Sequence, residues 1–197
     1  MSNNSIEKLK ELTRESHKKV EEKMDSHRVL QPDFRYQEYL HFLKKHLEAY
    51  QLLEPLLMKK LNHSGAETWS KFFTSRVADL EADLGILQHE ELGVTKWQQE
   101  SLHFYLGMLY VLKGSSLGGM MIYKKLLNTS KSWKESPEFL FFKPKSENPM
   151  EDWQKFLATL QNSIDNISEY EDLKRGIDTA YQIFCDSAEH CLADQDA

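Results

Sequence analysis

The stretch Tyr110–Ile122, YVLKGSSLGGMMI, carries three glycines, Gly114, Gly118 and Gly119, inside six positions of what otherwise reads as one long amphipathic helix. Each glycine in a helix interior costs about 1 kcal/mol relative to alanine, so the segment forgoes roughly 3 kcal/mol of helix stability. Gly114 and Gly118 are four apart and share a helix face, with Gly119 beside them. Two explanations fit. A neighbouring helix packs closely on a backbone without side chains, as small-xxx-small spacings often allow. Alternatively, a flat ligand lies on the backbone where a Cβ would collide with it, helped by a local bend. A phosphate loop is a poor third explanation, because the Lys-Ser/Thr ending is missing.

Working outward, the rest of the chain also has a helical period. Val/Ile/Thr-rich alternation is absent, and the five prolines and eight glycines fall mostly between amphipathic segments. The spacing predicts an all-α fold in a single domain spanning residues 1–197. It predicts a first helix from about Ser5 to Met24, and a second opened by Asp33 as N-cap and running toward Lys60 past Pro55. A third runs from SGAETW to about Leu84. A fourth spans about Thr95 to Leu127, interrupted by the glycines. A fifth has Pro149 in its first turn and reaches about Ile164, and a last is capped by Ser168 and reaches about Ala193. The formal net charge of −6, without a basic block, argues against a nucleic-acid partner. There is no apolar signal core and no membrane-spanning run, so a soluble cytoplasmic protein with no membrane partner is expected. Cys185 and Cys191, about 9 Å apart along a helix axis, are expected to be free thiols.

The first helix, LKELTRESHKKVEEKM over Leu9–Met24, has an inward stripe of Ile6, Leu9, Thr13, Val20 and Met24. Beside it runs a second stripe of Lys10, Arg14, His17 and Glu21. Glu21, one turn after His17, can accept from one imidazole nitrogen and leave the other for a metal. Lys10, about 10 Å from His17 along the axis, can meet acidic groups at the rim of a large ligand. A plain solvated edge with i,i+4 ion pairs explains the same residues. His41 and His46 are five apart on different faces and make a poor zinc pair.

Together the two segments resemble the heme oxygenase family: LKELTRESHKKVEE looks like its proximal helix, and LYVLKGSSLGG like the distal helix of the bacterial, biliverdin-producing branch. The order and separation of the two agree with that pattern. The resemblance implies a helical bundle with heme, both cofactor and substrate, between the N-terminal proximal helix and the glycine-kinked distal helix. It implies His17 as ligand to the heme iron, Glu21 as its hydrogen-bond partner, and Lys10 and Arg14 facing the propionates. Gly114, Gly118 and Gly119 would admit the porphyrin and O₂. The activity implied is oxidative cleavage of heme to biliverdin, ferrous iron and CO. Electrons would come from an external ferredoxin or reductase, since no flavin or nicotinamide motif is present.

The sequence departs from the family's mammalian pattern at Ser115. There an aspartate organises the water that delivers protons during turnover. Tyr110, one turn before Gly114, is a substitute donor or a core aromatic. Lys155, Lys174 and Arg175 are candidate propionate partners or surface charges. Two other functions stay open: a heme carrier of the same fold that does not turn heme over, and a helical enzyme of wider kinship acting on another small molecule through a nucleophile such as Cys185.

Overall fold

Eight α-helices joined by turns make up the described part of the chain, with no strand among the described residues, as expected of a sequence lacking period-two alternation. The computed structural model describes residues 5–63, 66–86, 97 and 99–193. None of the described helices is long and apolar enough to cross a membrane.

The predicted first helix is two: α1, Ser5–Leu12, and α2, Arg14–Lys23. Thr13 divides them. Its hydroxyl donates to the Leu9 carbonyl (2.9 Å), the same oxygen that its backbone N–H uses (3.0 Å), and such back-bonding bends a helix. The hydrophobic stripe is as expected, with Ile6, Leu9, Thr13 and Met24 buried and Val20 partly so. The C-terminal end of α2 is held from outside. The buried Lys45 ammonium, 4 % exposed, reaches the Lys23 carbonyl (3.4 Å), a cation where the helix dipole favours one. Lys23 itself pairs with Glu189 (2.7 Å).

Helix α3, Tyr36–Leu61, starts at Arg35 and not at Asp33. Glu38 takes the Arg35 backbone N–H (2.9 Å), whereas Asp33 is drawn to Arg28 (2.6 Å). Pro55 does not end α3. Its neighbours Leu53, Glu54, Leu56 and Leu57 are all buried, and that packing offsets one lost hydrogen bond. The predicted third helix is again two, α4, Glu67–Ser70, and α5, Val77–Leu84. The break has a distant cause: Glu54 on α3 takes the Arg76 N–H (2.6 Å) and the Ser75 hydroxyl (2.5 Å), which pulls the chain out of helical hydrogen bonding.

Helix α6, Leu102–Thr129, begins at Ser101, whose hydroxyl accepts from Phe104 N–H (3.3 Å); the expected start near Thr95 lies outside the described residues. Helical hydrogen bonding runs through Gly114–Gly119 without the interruption expected. Helix α7, Pro149–Asn162, has proline in its first turn. Helix α8, Ile167–Ala193, is capped by Asn166, not Ser168: Asn166 and Glu169 exchange side-chain-to-backbone hydrogen bonds (3.1 and 3.2 Å), a capping box.

The bundle is organised on the crossing of α6 and α8. Gly107 of α6 faces the Leu173 carbonyl and the Ile177 N–H, and Gly176 of α8 faces the Phe104 carbonyl, so closely that a methyl carbon at either would collide with backbone. These two glycines, in neither stretch singled out above, are where helix axes approach.

Candidate functional site

Helices α2 and α6 each pack mainly on α8, which links the helix carrying His17 to the helix carrying the glycine segment. Gly114, Gly118 and Gly119 are not at a helix crossing, which corrects the close-packing explanation. A Cβ at Gly118 would meet nothing within 4 Å; at Gly114 it would touch the Trp153 ring and at Gly119 the Phe142 ring, each at an ordinary 3.5 Å. Side chains, not a helix backbone, lie beside the cluster. Gly118, Ser115 and Ser116 are exposed, and Gly119 is buried.

On α2 the imidazole of His17 is 57 % exposed and stands edge-on to the Tyr181 ring of α8, centroids 5.8 Å apart at 77°. Its Nδ1 lies 3.7 Å from the Glu21 carboxylate, close enough for an ion pair and too long for a hydrogen bond. Tyr181 is buried, which pushes its phenol upward, and both Tyr110 and Glu21 add to the shift. One α8 side chain thus senses the proximal stripe and the turn preceding Gly114. Tyr110 is buried, its ring 5.2 Å from Trp153 and its phenol raised by desolvation.

Ser115 has a partner that sequence reasoning missed. Its Oγ donates to the Leu112 carbonyl (2.8 Å), which leaves a lone pair for the Tyr50 hydroxyl of α3 (3.1 Å). Burial pushes the Tyr50 phenol up to about 12, with the Ser115 hydrogen bond opposing. The Tyr50 ring is wedged edge-on between Phe141 (5.3 Å) and Phe184 (5.8 Å). No local signal marks Tyr50, since the pairing spans 65 residues of chain.

One turn before Tyr50, the His46 ring is enclosed by Phe42, Phe141, Phe142 and Phe184. Its Nδ1–H donates to the Phe42 carbonyl (2.9 Å). Burial lowers its pKa from 6.5 to about 4, so the folded protein holds it neutral. Between those values the unfolded chain takes up a proton that the folded one refuses, so stability falls as pH drops. The loss from this group is at most about 3 kcal/mol. Urea unfolding at pH 7, 5.5 and 4.5 should show that loss in the wild type and a shallower decline in His46→Leu. Equal declines would place the acid sensitivity elsewhere.

Lys10 and Arg14 are exposed and enter no ion pair among the described residues. The more distant candidate cations are engaged: Lys155 with Glu151 (2.7 Å), Lys174 with Asp178 (2.6 Å), and Arg175 with Glu100 (2.9 Å) and Asp172 (2.6 Å). Neither cysteine is in a disulfide; Cys185 is buried and its thiol is pushed up by desolvation, the condition of an inert thiol. Burial thus makes Cys185 a poor nucleophile for the other-enzyme reading. A family model described as heme oxygenase matches residues 3–189. A search of curated proteins returns no match.

Proposed function

The chain belongs to the heme oxygenase family, and from that premise we propose that it is a catalytic, biliverdin-producing member, which opens heme to biliverdin, ferrous iron and CO. Family membership alone carries a heme-binding or heme-degrading role. The observation that supports turnover at this site is the open face at Gly118, where an added Cβ meets nothing, next to exposed Ser115 on a helix that shares its packing partner α8 with the His17 helix.

The residues suit a flat dianionic macrocycle. His17 offers an exposed imidazole to iron, and Lys10 and Arg14 offer two cations to propionates at the rim. Gly118 leaves the backbone bare, and the buried Tyr181 backs the His17 ring. Heme, the substrate, supplies the iron that activates dioxygen and the ring that is cleaved. The protein positions it, shields it from bulk water and holds a proton path. In that path Tyr50 donates to Ser115, and Ser115 presents its hydroxyl at the exposed face, so a water seated there stands in for the missing carboxylate. Electrons come from a separate ferredoxin or reductase in a bacterial cytoplasm.

The hemin complex, given ascorbate or a ferredoxin system with catalase present to remove free peroxide, should lose its Soret band. It should yield biliverdin, CO and chelatable iron. One observation favours a carrier: the Ser115 proton is committed to the Leu112 carbonyl, which weakens Ser115 as a donor. Tight hemin binding with reduced iron and no CO would make the protein a carrier. A tenfold slower proton delivery adds only about 1.4 kcal/mol to the barrier, so a slow but measurable turnover still counts as catalysis.

A further inference from the structure

Gly119 rests on Phe142, and Tyr50 rests on Phe141, so both sides of the distal face depend on the turn at residues 139–142. That turn is strained. Phe139, 2 % exposed, has φ +55°, a left-handed conformation that costs a bulky residue on the order of 1 kcal/mol and persists only where the surroundings impose it. Two residues, Arg76 just before α5 and Asp83 in its last turn, impose it from opposite polarities. The Asp83 carboxylate accepts the N–H of Leu140 (2.9 Å) and of Phe141 (3.0 Å), and also the Tyr39 hydroxyl (3.0 Å). The Arg76 guanidinium donates to the carbonyls of Leu140 (3.0 Å) and Phe141 and lies over the Phe141 ring (5.6 Å). Arg76 is tied back to α3 through its N–H on Glu54, one turn beyond Tyr50.

We infer that Asp83 is a positioning residue for the distal face. By holding the Leu140 and Phe141 amides it sets the Phe141 ring against Tyr50, and so sets the Tyr50–Ser115 hydrogen bond. The inference rests on the heme site proposed above only in what it means for turnover; the mechanical coupling belongs to the apoprotein. Charge matters here because one carboxylate accepts from three donors at once. An amide of the same size confronts one of those N–H groups with its own NH₂.

The test is a cycle of Asp83→Asn, Tyr50→Phe and the double variant, with Asp83→Glu as the conservative variant. In the apoprotein, the ¹³Cζ resonance of Tyr50 should move in Asp83→Asn toward that of an unbonded phenol, and Asp83→Glu should return it part of the way. In the hemin complex, the pH at which the ferric spectrum converts to its alkaline form should shift by about half a unit or more in both single variants. The double variant should shift no further than Tyr50→Phe alone, because the two act on one hydrogen bond. An unmoved Tyr50 resonance in a folded but less stable Asp83→Asn, or additive shifts in the cycle, would overturn the inference. Should Asp83→Asn not fold, Phe141→Leu keeps the backbone hydrogen bonds of the turn and must move the Tyr50 resonance in the same way. Failure of the wild type to bind hemin would count against the proposed function alone, since the apoprotein resonance decides the coupling without heme.

Discussion

His17→Ala should abolish the native hemin spectrum, and added imidazole should restore part of it. The expectation follows from what surrounds His17 and three of the other histidines. His46 and His103 each commit a ring nitrogen to a backbone carbonyl, and His190 pairs with Glu48. His17 instead stands more than half exposed on α2, steadied by the edge of Tyr181 and one turn from Glu21. Because no residue of α2 is buried, removing the ring should leave the unfolding free energy of the apoprotein within the small range of a surface substitution, about 0.5 kcal/mol. Lost ligation would then be a local chemical effect and not unfolding. Titration with hemin followed by the Soret band, with and without imidazole, reads it directly. A mutant band matching wild type in the absence of imidazole sinks the axial assignment.

The second large effect separates two kinds of glycine on one helix framework. Gly176→Ala should cost more than about 3 kcal/mol, beyond ordinary overpacking and a large share of a typical domain's stability. Its methyl carbon collides with the Phe104 carbonyl at the α6–α8 crossing, and backbone cannot rotate aside as a side chain does. Gly118→Ala should do the reverse in the apoprotein, adding up to about 1 kcal/mol, since the methyl meets open space and alanine is the better helix former. The same change should weaken hemin affinity or turnover, because the space it fills is the space proposed for the macrocycle. Denaturant unfolding of the apoprotein and hemin titration on the same two variants test both signs. A Gly118→Ala protein that is stabilised yet binds and cleaves heme normally would leave the glycine cluster without a ligand role.

What the sequence determined by itself rests on neighbours three or four residues apart. The all-α class follows from helical periodicity without strand alternation. The buried stripe Ile6, Leu9, Thr13, Val20 and Met24 and the first-turn Pro149 are read from local geometry, as is the placing of His17 beside Glu21. Periodicity says which face of a helix turns inward. It does not say what stands opposite. Only the tertiary structure decided that Gly107 and Gly176 serve a helix crossing while Gly118 faces open space, although all three are glycines inside long helices. It decided that the helix predicted up to Leu84 breaks over residues 71–76, because the acid that breaks it, Glu54, arrives from another helix. It also decided that Arg175 reaches Glu100, and that Ser115 leans on Tyr50. Each of these depends on how helices dock, and docking is settled by the whole core at once, so no window along the chain contains it.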